Sequence, residues 1–283
     1  MSGVLKEIFT DIILSKFYPD GSWLGELTSM DHMVDNNKIN LAQVGANPEV
    51  IKDCTQFPIT PTTRTDTGVE ITLATFDTRP THVSNVEEIE TNYNKAESVL
   101  KQHIDTLRET CSLSAAYNIA PDSNSTDHPV LATTGSTNSY GHKAFSYADI
   151  LKLRTAFNKK NFPMTDRVLV LCPEHEEDLL AEDAPRFNQI MTAGQVAGFK
   201  IYTFNGNLHY STGGSKSAYG VTNTQPASFA FCKSEAMRAM GDTKSETEER
   251  WADYRGVLLG CQVRFVAMPM RGKAVAAIYS ANA

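Results

Sequence analysis

No stretch of about eighteen consecutive apolar residues occurs in this chain, so no segment reads as a membrane-spanning helix. The nearest candidate, Val4 to Phe17, is broken by Lys6, Glu7, Asp11 and Lys16. It also lacks the charged leader and small-residue cleavage site of a secretion signal. It reads instead as an amphipathic helix, apolar at Val4, Leu5, Ile8, Phe9, Ile12 and Ile13. Cysteine is scarce: Cys54, Cys111, Cys172, Cys232 and Cys261 are widely spaced, odd in number, and form no CxxC pair. That argues against a disulfide framework and a zinc site, and for buried thiols in a reducing compartment. Basic residues are outnumbered, 26 Lys and Arg against 33 Asp and Glu, for a net charge of −7. Tight nucleic-acid binding, which needs clustered cations to replace phosphate counterions, is disfavoured.

Catalytic motifs are missing too. There is no G-x-S-x-G elbow and no H-E-x-x-H pair. "PEHEED" around His175 groups His, Glu and Asp, but the acids fit the first turn of a solvated helix better than a metal. "STGGSKS" at 211–217 is half a phosphate loop. Lys216 follows Gly214 by two residues and no helical pattern follows, so it reads as a mobile loop. "TTGSTNSYG" at 133–141 reads as linker. Asn124-Ser125-Thr126 matches a glycosylation acceptor, which carries no weight without a secretory leader. The paired carboxylates Glu87-Glu88, Glu176-Glu177 and Glu248-Glu249 fall on polar faces. For a chain of 283 residues with 41% apolar content, able to bury a sizeable core, this moves weight from enzyme to structural protein.

What is present has a definite order. Tyr18 to Lys52 shows no sustained period and reads as an extended arm with short helical pieces, among them "NPEVIKD", capped by Asn47. "FPITPTTRTDTGVEITLATFDTRPTHVS" follows at 57–84. Val69, Ile71 and Leu73 alternate with polar residues as in a strand, Thr60 to Thr65 supply its expected partner, and "TDTG" the turn. Such a hairpin is marginal alone and must lie on something else. Ser84 and Glu87 make a capping box opening a long helix, apolar at Val86, Ile89, Tyr93, Ala96, Leu100, Leu107 and Cys111, to about Tyr117. About thirty residues give a strut of roughly 45 Å.

The polar stretch 120–145 marks a boundary. "SYADILKLRTAFNKK" is an amphipathic helix, "RVLVLC" a buried strand, and Pro173 the start of another helix. "VAGFKIYTFN" is a second strand. "ASFAFCKSEAMRAMGD" reads as a strand and a short helix, and "TKSETEER" as a charged loop. "RGVLLGCQVRFVAMPM" and "KAVAAIYSA" read as a closing strand pair turning at Arg271-Gly272.

This order of parts resembles the major capsid proteins of tailed bacteriophages, the Hong Kong 97-type coat fold. The pieces that carry the resemblance best are "RVLVLCPEHEEDLL" with "VAGFKIY" about 25 residues on, and "ASFAFCKSEAMRAM" before the closing strands. The resemblance implies an α+β, Hong Kong 97-like capsid fold. It divides the chain into an N-arm (1–54), an E-loop hairpin (55–83), the spine helix with peripheral domain (84–135), an axial domain (136–240), and the closing strands of the peripheral domain (241–283). It further implies self-assembly of hexamers and pentamers into an icosahedral head around double-stranded DNA. The location would be the virion, after synthesis in the host bacterial cytoplasm, with no cofactor and no membrane contact.

The chain opens directly on the arm, which implies a separate scaffolding protein or none; a portal and a decoration protein are the other expected partners. Residues 57–84 contain no lysine, so lysine–asparagine crosslinking through this loop is not expected. The hairpin would lie across a neighbouring subunit, with Arg64, Asp66, Asp77 and Arg79 in intersubunit ion pairs. Two alternatives stay open: a nanocompartment shell of the same fold, and a cytoplasmic α+β enzyme with His175 or the Gly213-Gly214 loop at its site.

Overall fold

The computed structural model describes residues 22–35, 37–43, 52–55, 58, 61, 63, 67–84, 95–206, 208–221, 225–250 and 256–283. The expected N-terminal helix, the "NPEVIKD" turn, the Thr60–Thr65 strand and the Ser84–Glu87 capping box lie wholly or mostly outside these residues.

One sheet is buried on both faces. Its order is β6 (Val130–Ala132), β14 (Val275–Tyr279), β11 (Gln225–Cys232), β7 (Arg167–Leu171), β9 (Phe199–Thr203) and β8 (Gln195–Val196), with β10 (His209–Tyr210) beside β11. The unbroken apolar run of β7 follows from this burial. Val168 and Val170 face one core, with Phe229 and Phe231 of β11. Leu169 and Leu171 face the other, against Ile150, Leu153 and Phe157 of α2 (Tyr147–Lys159). The same second face is covered by Leu179 of α3 (Pro173–Glu182) and Phe187 of α4 (Ala184–Ala193). The Asp149 carboxylate fixes the start of α2, accepting from the Ser146 amide and hydroxyl and from the Thr134 hydroxyl at 2.6 Å.

The other large sheet runs β1 (Thr28–Ser29), β12 (Ala236–Arg250), β13 (Gly256–Pro269) and β4 (Ala74–Asp77), with β5 (Thr81–Ser84) also on β13. One of its faces carries the long helix α1 (Lys95–Ile119). Leu100, Ile104, Leu107 and Cys111 of α1 share a core with Cys261, Val263 and Phe265 of β13. The side chains of β13 alternate, so Val266 faces away, toward Met237 and Ala239. Onto those residues packs a two-stranded ribbon, β2 (Lys38–Gln43) with β3 (Thr67–Thr72), through Ile39 and Ile71.

Three expectations need correction. The strand at 69–75 breaks at Leu73; its first half pairs with the arm strand β2, and its second half, as β4, with β13. "AMRAMGD" and "TKSETEER" are neither helix nor loop but the single strand β12, preceded by a short 3-10 turn at Lys233–Glu235. β13 and β14 do not pair with each other: β13 takes β12, while β14 is claimed by β11 and β6. The helix α4 had no counterpart in the sequence reading. Within the stretch read as extended, Trp23 sits edge-on to Phe204, Phe229 and Phe231 inside the core.

Candidate assembly surface

The segment joining β4 to β5 is the part of the molecule whose side chains most need explaining. After β4 the chain crosses β13 through Thr78, Arg79 and Pro80. Thr78 is locked there: its amide and hydroxyl both donate to the Cys261 carbonyl, at 2.9 and 3.2 Å, and its hydroxyl accepts from the Cys261 amide at 2.9 Å. Asp77 is exposed, but its carboxylate accepts from the Gln262 side-chain amide at 2.6 Å. Arg79 is exposed and has no ion-pair partner among the described residues. Arg64 and Asp66 lie outside the described residues. Of the four charges expected here, the structure thus shows one engaged within its own chain and one open.

Beneath Arg79, β4 and β5 stand off from α1 and leave a cleft of about 420 Å³, reaching Phe76 and Leu107 at its apolar floor. His103 of α1 lines it and is only 8% exposed. Its Nε2 has no hydrogen-bond partner. Burial holds the imidazole below its usual pKa, hence neutral. A buried polar group left unpaired costs roughly 1–3 kcal/mol, so this position is under stress in the isolated chain. The spacing between Arg79 and His103 gave no clue to the cleft; only the fold of β4 and β5 onto α1 brings them together.

The two places where an enzyme reading would look are filled by structural contacts. His175 is completely buried rather than on a solvated helix start. Its Nδ1 lies 2.7 Å from the Ser228 hydroxyl and its Nε2 3.0 Å from the Ser280 hydroxyl, and its ring stacks on Phe145. Burial pushes its pKa down to about 3.

Lys216, in the glycine-rich loop, is also buried, its side chain 6% exposed. Its ammonium donates to the carbonyls of Tyr117 and Ala120 at 2.9 and 2.8 Å and to Asp122 at 2.6 Å, over the Tyr117 ring. It caps the negative end of α1, so the loop is pinned instead of mobile. Among the described residues, no group of three His, Cys, Asp or Glu side chains is placed to hold a metal.

No protein-family model and no curated protein matches this chain. Solved structures do. The capsid of the cyanophage P-SCSP1u superimposes with a TM-score of 0.65 at 18% identity, over 91% of this chain and 87% of that one. The tailed-phage coat fold is the fold of this chain. The capsid of Ralstonia phage GP4 gives 0.64 at 9% identity, again over 91% and 87%. A virus-like particle from Pyrococcus furiosus gives 0.56 at 10% identity over 97% of this chain and 99% of that one.

Proposed function

We propose that the chain is the coat subunit of a tailed-phage head, self-assembling into an icosahedral shell around double-stranded DNA and acting by assembly rather than by catalysis. One observation carries the reading: a coat fold superimposes over nine-tenths of the chain. The domain division follows as part of it: N-arm 1–54, E-loop 55–83, spine helix with peripheral domain 84–135, axial domain 136–240 and closing strands 241–283, with β14 adding a strand to the axial sheet. Scaffolding, portal and decoration proteins would be its partners. Arg64, Asp66, Asp77 and Arg79 would meet neighbouring subunits, Arg79 most directly, because Asp77 is already engaged with Gln262. A net charge of −7 suits a shell that encloses DNA without gripping it.

A second reading, a nanocompartment shell with protein cargo, is favoured by the near-complete mutual coverage with the archaeal virus-like particle. Negative-stain electron microscopy of the chain expressed with its neighbouring genes tests both. Closed shells filled with DNA support the first and shells filled with protein the second. A small globule under all conditions contradicts both.

A further inference from the structure

We infer that the cleft between the E-loop stem and the spine helix is a carboxylate-binding site, filled in the assembled particle by an Asp or Glu side chain of a second copy of this chain. The inference rests on the coat reading and names the partner of its E-loop. The cleft is lined by groups able to donate hydrogen bonds, most of them exposed to solvent. Arg79 stands at its rim, Gln102, Thr81 and Thr106 line it, and His103 lies at its wall with Nε2 unpartnered. The side chains of the other four donate no hydrogen bond to another described residue. The one carboxylate on the lining, Asp77, is taken by Gln262. One turn along α1, Asp105 and Arg108 pair with each other at 3.3 Å and leave the balance of the cleft unchanged.

The Arg79 guanidinium can only donate, and the hydroxyls of Thr81 and Thr106 and the Gln102 amide can donate beside it; a carboxylate, which accepts on both oxygens and carries the opposite charge, suits this set. The volume lies in the range of ligand clefts and exceeds what a water molecule needs. The occupant comes from another copy because copies of this acidic chain, with 33 Asp and Glu, are what a shell brings against Arg79 in greatest number. Docking gives the orphaned imidazole its missing partner, so the stress in the free subunit is relieved on assembly.

The test uses full-length shells carrying Arg79→Lys, assembled from equal parts of ¹⁵N-labelled and unlabelled chains. A water-soluble carbodiimide couples a carboxylate and an amine in contact into an amide, taking up the elements of water and leaving as its urea. The expected product is a mixed-isotope peptide pair joining the introduced lysine to an Asp- or Glu-containing peptide. Arg79→Glu should slow shell formation roughly tenfold, with Arg79→Lys close to the parent. Crosslinks confined to single-isotope pairs, or absent while other lysines couple, overturn the inference. So does unchanged assembly of Arg79→Glu. Arg79 is exposed, so these variants fold even if His103→Phe does not. If the parent chain forms no shells at all, the coat reading has failed; if shells form without this crosslink, only the cleft assignment has.

Discussion

Replacing Lys216 by Met removes the cap of α1 while keeping the length of the side chain. Two carbonyl bonds, to Tyr117 and Ala120, and one carboxylate bond, to Asp122, are lost together. A hydrogen bond to a charged group contributes about 1.5–3 kcal/mol, and the two buried carbonyls are left without their donor. The Asp122 partner adds little, because its side chain is 90% exposed and returns to water. The methionine also regains part of the packing, and desolvation of the ammonium no longer opposes folding. The net expected cost is about 3 kcal/mol.

With a urea slope of about 3 kcal/mol per molar for a chain of this size, the midpoint falls by about 1 M. Tryptophan fluorescence of the free subunit reports it through Trp23, which is buried among aromatic rings. Asp122→Asn serves as the contrast and should cost under about 1 kcal/mol. An unchanged midpoint for Lys216→Met would refute the capping argument. Equal losses in both variants would show that the ion pair, not the carbonyl cap, holds the loop.

Three further expectations concern other parts of the molecule. His175 has a folded pKa of about 3 against 6.5 unfolded. The unfolded state therefore binds the extra proton, so the stability from a neutral His175 is full above about 6.5 and lost as pH falls toward 3. In urea titrations from pH 7 to pH 4, His175→Gln should show a flatter pH dependence than the parent; parallel curves would refute the burial argument. At Asp149, burial pushes the carboxyl pKa up, but bonds from Thr134, Lys152 and Ser146 outweigh it and hold the pKa below the usual range. Its stabilisation is thus present above the ordinary carboxylate pKa and fades in acid, and Asp149→Asn should cost about 2 kcal/mol at pH 7 by denaturant titration. A Cβ on Gly256 would collide with the Val83 carbonyl, so Gly256→Ala should part β5 from β13, with faster amide exchange at 81–84 and little change in β7.

The sequence revealed what local periodicity can carry. The run "RVLVL" reads as a buried strand because both faces of β7 meet apolar layers. The spacing of Leu100, Leu107 and Cys111 reads as a helix because those residues face β13 on one side of α1. "TKSETEER" reads as a loop because it contains no apolar residue to set a period; its strand conformation comes from a ladder with β13 running out to Arg250 and Gly256. The apparent hairpin at Arg271-Gly272 misled for a related reason. β14 is drawn away by β11 and β6, partners far off in sequence that no local pattern registers. The cleft was illegible for the same cause, since Arg79 and His103 come to line it only through the packing of the β4–β5 segment against α1.

Sedimentation velocity of the full chain, expressed alone and with its neighbouring genes, tests the central claim most directly. The account predicts that the 31.2 kDa subunit passes into large closed particles, with capsomer-sized rings as the only substantial smaller species. A single monomer or small oligomer boundary at every concentration and in every co-expression would contradict it.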